Sequence, residues 1–236
     1  MIVWIASYPR SGNTFYRILL HFMYGVKTFS LYNDIDIEQI GASEVVGHER
    51  LDVPIEMLSR DSNIYFVKTH ELPKDDRPAI YIVRDGRDAV VSFAHWKLYF
   101  QIKQSLLGRI KRFVLREDVF KLILKNIILS DKHYGGWSQN VIAWTKKRSS
   151  NVTFSMRYED LIQNPIQWVK SSLESLNINL QPASGKFPSF DELHEKWPEF
   201  FRKGKIGAWR EEMPSDLQSL FWKHHSQAMK IFDYSK

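Results

Sequence analysis

The sequence predicts a single α/β domain over residues 1–236, with a central, mainly parallel sheet flanked by helices. Two observations carry that prediction. Short apolar runs of strand length alternate with stretches whose apolar residues recur at helical spacing. Each sequence suited to binding an anion also begins where one of those runs stops, which is where open parallel sheets gather their ligands. A composition of 44% hydrophobic and 25% charged residues is enough to bury a core and excludes disordered, collagen-like and coiled-coil chains.

Taken in order, Ile2–Ala6 reads as a buried strand, Ser7–Gly12 as a loop, and Phe15, Ile18, Leu19, Phe22 and Met23 as the apolar stripe of a helix. Ile64–Val67 is a second strand, ending at Lys68-Thr69-His70. Ala79–Val83 is a third, followed by Arg84-Asp85-Gly86-Arg87-Asp88 and a helix over Ala89–Trp96. Asn151–Met156 is a fourth, leading through Arg157-Tyr158-Glu159-Asp160 into a helix that Pro165 interrupts or restarts. Residues 186–210, with two prolines and two glycines, read as a mostly irregular loop long enough to serve function. Neither an internal repeat nor a shift in composition divides the chain.

Thirty-three Lys and Arg against twenty-seven Asp and Glu give a net charge of +6. The excess is local: residues 97–132 hold nine basic and three acidic side chains, leaving 24 of each sign elsewhere. That stretch has the pattern of a helix with Leu106, Leu107, Ile110, Phe113 and Val114 on one stripe. A fold-covering helix with a solvated basic face explains it, and peripheral membrane contact through 97–132 is the competing reading. The absence of cysteine excludes disulfides, a thiolate nucleophile and Cys-ligated metals, and suits a reducing compartment. No run approaches the length of a membrane span, and Met1–Ile5 lacks the basic flank of a signal peptide, so a cytoplasmic location is expected.

Three sequences carry chemistry. Ser7-Tyr8-Pro9-Arg10-Ser11-Gly12-Asn13-Thr14 joins a strand to a helix, where backbone N–H groups and the positive helix end attract anions. It lacks the GxxxxGK[ST] spacing of a Walker loop and places Arg10 as the cation, though an ordinary strand-to-helix turn has the same outline. In Arg84-Asp85-Gly86-Arg87-Asp88-Ala89-Val90-Val91-Ser92, the Arg84 guanidinium and the Ser92 hydroxyl can converge on a second anion; the bland alternative pairs Arg84 and Arg87 with Asp85 and Asp88 on the surface. His70 can act as a general base toward a hydroxyl, with Lys68 neutralising charge on a leaving oxygen. No histidine spacing indicates a metal site. Phe93, His95, Trp96, Tyr99 and Phe100 can line an apolar pocket near His70.

In combination these motifs resemble the sulfotransferases that use 3′-phosphoadenosine 5′-phosphosulfate (PAPS). Tyr8–Phe15 is similar to the family's phosphosulfate loop and Val83–Ser92 to its 3′-phosphate motif. Lys68-Thr69-His70 with Leu72-Pro73 is similar to the segment that supplies the base. Tyr134-Gly135-Gly136-Trp137, Tyr158-Glu159-Asp160 and Phe201–Arg210 also have counterparts, so the resemblance spans residues 7–210. It implies that Arg10, Ser11, Gly12, Asn13 and Thr14 hold the phosphosulfate, that Phe15 stacks on adenine and that Tyr158 lies at the adenine edge. Arg84, Ser92, Arg202, Lys203 and Gly204 are implied to bind the 3′-phosphate, His70 to take the acceptor's proton, and Lys68 and Arg10 to stabilise the leaving oxygen without a metal. The implied partner is a small-molecule, sugar or peptide hydroxyl, with no nucleic acid. Arg10 stands where the cytosolic enzymes usually have Lys, and Glu71 beside His70 is a second candidate base. Two other classes compete: a small-molecule kinase of the P-loop type, and a basic module binding nucleic acid or a membrane surface.

Overall fold

The computed structural model describes residues 1–32, 34–60, 62–104, 116–130, 134–146, 153–183, 188–198, 201–202 and 204–236. Strand β1 (Ile2–Ser7) leads through a turn into helix α1 (Asn13–Tyr24), and β2 (Thr28–Ser30), α2 (Ile35–Gln39) and α3 (Ser43–Val46) follow. Next come β3 (Tyr65–Thr69), β4 (Ala79–Val83), α4 (Gly86–Gln104), α5 (Arg116–Leu129) and α6 (Trp137–Thr145). Strand β5 (Thr153–Arg157) precedes α7 (Tyr158–Gln163) and α8 (Pro165–Ser175), and α9 (Phe190–Lys196), α10 (Trp209–Glu212) and α11 (Ser215–Ile231) come last.

The strands pair in the order β2-β3-β1-β4-β5, every pairing parallel. Parallel neighbours need crossover connections, and the crossing helices cover both faces of the sheet. That is why β1 is buried at all six positions instead of alternating. Its side chains still divide by pleat. Ile2, Trp4 and Ala6 join one core with residues of α4, α5, α6 and α11, while Val3 and Ile5 join another with residues of α1 and α8. Burying each large aliphatic side chain this way contributes about 1.5–3 kcal/mol.

The strand order sets the ends of β3, β1, β4 and β5 side by side, so the segments starting at His70, Tyr8, Arg84 and Tyr158 share one edge of the sheet. Three elements differ from expectation. Strand β2, three residues long, adds to the sheet beyond β3 with no apolar run to announce it. Helix α4 extends well past Ala89–Trp96 in both directions. Within 186–210, α9 is a regular helix started by a capping box: Ser189 Oγ accepts from the Glu192 amide and the Glu192 carboxylate accepts from the Ser189 amide. Pro165 restarts the chain as the first residue of α8. The apolar stripe 106–114 lies outside the described residues.

Candidate active site

The turn between β1 and α1 is bent by two left-handed residues, Arg10 at φ +65° and Gly12 at φ +100°. A non-glycine residue in that region costs about 1–2 kcal/mol, and such strain gathers at binding loops. Gly12 is required twice over, because a Cβ there would lie 2.4 Å from Tyr158 Cδ2 as well as at positive φ. Beneath the turn, Asn13 donates from Nδ2 to the Ile5 carbonyl at 2.9 Å, tying the start of α1 to β1. Ser11 is fully buried, and its Oγ has no hydrogen-bond partner. An unpartnered buried hydroxyl beside a cationic turn at a helix N-terminus fits an oxyanion ligand.

Arg84, at the end of β4, joins this turn to the late loop. Its Nη1 donates to the Arg10 carbonyl at 3.3 Å and its Nη2 to the Lys205 carbonyl at 3.0 Å, while the guanidinium lies 4.7 Å over the Tyr158 ring. Arg84, which lines the cavity, has a buried Nε without a partner, a second orphaned polar atom. Asp88, in the first turn of α4, fastens the late loop by accepting from the Gly207 amide at 2.7 Å and the Trp209 amide at 2.9 Å. Burial pushes the Asp88 carboxyl up, against the pull of Arg84. The pairing expected on the surface is thus partly present but buried: Arg87 pairs with Asp85 at 2.7 Å, while Arg84 and Asp88 stand 3.8 Å apart. Behind them Glu159 accepts from the Asp85 amide at 3.0 Å and from the Tyr234 hydroxyl at 2.7 Å.

His70 sits one residue beyond β3. Its Nδ1 donates to the Ser7 carbonyl at 2.8 Å, an atom that can only accept, so Nε2 is the ring's acceptor. Tyr32 stacks on the imidazole at 5.7 Å and its hydroxyl accepts from the His70 amide at 2.9 Å; Tyr134 meets the ring edge-on at 5.6 Å. Burial, and then the Lys68 charge, push the imidazole down to about 3, so it is neutral at physiological pH. Lys68 is itself engaged: its Nζ donates to Asp34 at 2.6 Å, and Arg17 pairs with the same carboxylate at 2.8 Å. Burial pushes the Asp34 carboxyl up, but Lys68 and Arg17 outweigh it and hold it below the usual carboxylate range. Glu71 pairs with Lys74, and among the described residues it is not part of the cavity wall.

The cavity measures about 700 Å³. It brings together Arg10, Gly12, Asn13, Thr14 and Phe15 of the turn, Lys68 and His70, Arg84 and Ser92, Tyr158, and Arg202 and Gly204. Ser11 lies below its surface, and Lys203 is outside the described residues. Ser92 accepts from Arg10 Nε at 3.3 Å, which links the two proposed anion motifs directly. Arg202 pairs with Glu212 at 3.0 Å, and Glu212 also holds His95 at 2.6 Å. That contact turns His95 away from the pocket expected for it, whereas Phe93, Trp96 and Phe100 line the cavity. The sequence reading missed Tyr32, the Asp34 carboxylate and Asn140, whose Nδ2 donates to the His70 carbonyl at 3.0 Å. Of these only Asn140 lies near a motif that the sequence singles out, Tyr134–Trp137.

A family model described as "Sulfotransferase domain" matches residues 2–233. Mouse sulfotransferase 1E1 is 26% identical over 263 aligned residues, covering 96% of this chain and 82% of that protein, and mouse sulfotransferase 1B1 is 25% identical, covering 87% and 75%. Among solved structures, mouse sulfotransferase SULT7A1 complexed with PAP aligns with a TM-score of 0.64 at 17% identity, covering 97% of this chain and 83% of that one. Retinol dehydratase in a complex with retinol and PAP aligns at 0.63 with 21% identity, covering 100% and 83%. These two likenesses establish a shared fold.

Proposed function

The chain belongs to the sulfotransferase-domain family, and we propose that it transfers a sulfuryl group from PAPS to a hydroxyl acceptor, with His70 as general base. The observation that carries this reading is the convergence, on one cavity, of the Arg10–Gly12 turn, Arg84 and the acceptor nitrogen of His70. Two orphaned buried polar atoms, Ser11 Oγ and Arg84 Nε, lie at the two anion motifs, as a ligand charged at both ends requires.

Bound there, PAPS supplies an electrophilic sulfuryl group. Arg10, Ser11, Gly12, Asn13 and Thr14 would hold the phosphosulfate end, Arg84 with Ser92, Arg202, Lys203 and Gly204 would hold the 3′-phosphate, and Phe15 and Tyr158 would meet the adenine. His70 Nε2 accepts the acceptor's hydroxyl proton, and the Ser7 carbonyl on Nδ1 keeps the ring in the tautomer that can do so. Being neutral at the working pH, His70 needs no prior deprotonation. Arg10 and Lys68 place positive charge where the leaving oxygen develops negative charge, and neither needs to lose a proton to do this. The similarity of two neighbours crystallised with PAP supports the nucleotide assignment. A cytoplasmic site of action is our reading of a chain with no cysteine.

Thermal shift distinguishes this reading from the kinase and surface-binding alternatives. At a hundredfold excess over Kd, 3′-phosphoadenosine 5′-phosphate is expected to raise Tm by about 5–10 °C, and AMP and ATP by much less, since only the first fills both anion motifs. Arg84→Ala should reduce the shift strongly. Equal shifts with all three nucleotides, or an unchanged shift in the variant, would overturn the two-anion assignment.

A further inference from the structure

We infer that the acceptor selected by this site is an aromatic hydroxyl compound that also carries a negative charge, and that Lys97 reads that charge. The inference rests on the transfer reading above and adds the class of acceptor to it. Helix α4 turns Phe93, Trp96, Lys97 and Phe100 toward the cavity, at the spacings of three and four that define one helix face. The rings form a continuous wall: Phe93 and Trp96 lie 5.8 Å apart and Trp96 and Phe100 4.7 Å apart. With Tyr32 and Tyr134 beside His70, they suit a flat apolar body.

Lys97 interrupts this wall with a charge. Three other cations on the cavity face carboxylates, Lys68 at Asp34, Arg84 near Asp88 and Arg202 at Glu212, while Arg10 donates to Ser92. Lys97 has no carboxylate within 4.0 Å among the described residues, and its Nζ rests 4.8 Å over the Phe93 ring. Lys205, the other lining lysine in that position, lies on the loop whose carbonyl binds Arg84, at the nucleotide end. Held over the wall by its ring contact, the Lys97 ammonium presents donors that an acceptor carboxylate satisfies. A neutral aromatic covering the same spot strips water from the ammonium without replacing it, so the residue both attracts the charged acceptor and disfavours the neutral one.

The test uses two acceptors with the same fused rings, 6-hydroxy-2-naphthoate and 2-naphthol, in steady-state assays with PAPS. The expected result is a kcat/KM roughly tenfold higher for the carboxylate, a preference that shrinks as salt is raised, as a screened charge pair requires. Lys97→Met brings the two acceptors to similar kcat/KM, whereas Lys97→Arg retains the preference. Should the unaltered protein treat both naphthols alike, or Lys97→Met keep the preference, the inference is overturned while the nucleotide and base assignments stand. Binding of 3′-phosphoadenosine 5′-phosphate with neither naphthol turned over also removes the inference alone. Failure to bind that nucleotide removes the transfer reading, and the inference with it.

Discussion

At the proposed nucleotide end of the cavity, Arg84 is held by two carbonyls and Asp88 by two amides, and Gly12 leaves no room for a methyl group against Tyr158. At the acceptor end, Phe93, Trp96 and Phe100 meet through ring contacts of 4.7–5.8 Å. Hydrogen bonds with fixed directions hold a site to one ligand, whereas ring contacts lose little when a flat molecule of another outline slides between them. The difference teaches where variation is tolerated: the proposed nucleotide end is over-determined, and the proposed acceptor end is adaptable. His70 stands at the join, tied to β1 through the Ser7 carbonyl and ringed by Tyr32 and Tyr134.

The largest expected effect tests that join. His70→Ala should lower kcat by about 10²–10⁴-fold with nucleotide affinity nearly unchanged, while Glu71→Gln leaves kcat within a few-fold. A fully active His70→Ala enzyme would transfer the base role elsewhere.

Gly12→Ala tests whether the nucleotide end is as rigid as described. It should weaken binding of 3′-phosphoadenosine 5′-phosphate by about 30–100-fold and lower stability by about 2–3 kcal/mol, through left-handed strain and displacement of the Tyr158 ring. Calorimetric titration and thermal melts read both, and normal affinity would show that this end yields after all.

Acid sharpens the comparison next. Burial holds His70 down to about 3 and His225 down to about 4 from an ordinary 6.5, so below about pH 6.5 the unfolded chain takes up protons that the folded chain refuses. Their contribution to stability is therefore intact above 6.5 and shrinks as pH falls, by up to about 1.4 kcal/mol per unit for each histidine. Melts between pH 7.5 and about 5 should show the decline, and His225→Gln should flatten part of it. The acid limb of kcat/KM should lie well below 6.5 for the same reason, since protonating His70 would remove the proposed base.

The smallest effect belongs to the wall. Phe100→Leu should change acceptor KM by about 2–5-fold and leave nucleotide Kd alone. A change in nucleotide Kd would mean that the two ends are coupled.

Much of this molecule is legible from residue order because its signals are local. Ile2–Ala6 and Ala79–Val83 are apolar runs of strand length, and the turn at Ser7–Gly12 and the Arg84–Ser92 segment each begin where a strand ends. What escapes has no local signal. Strand β2 is three residues with Thr and Ser at its ends, given its place by pairing with β3 and by a bridge from Thr28 to His48. Arg17 and Asp34 carry no local signal, and with Lys68, which the sequence marks as a catalytic candidate, they become a buried cluster only when α1, the segment before α2 and β3 are brought together. His95 follows the same rule: its spacing puts it near the pocket, and one carboxylate contributed 117 positions later takes it elsewhere.

Tyr234, near the carboxyl terminus, shares Glu159 with the Asp85 backbone amide beside Arg84. Replacing Tyr234, or crowding it from outside, would thus reach the proposed nucleotide grip from behind.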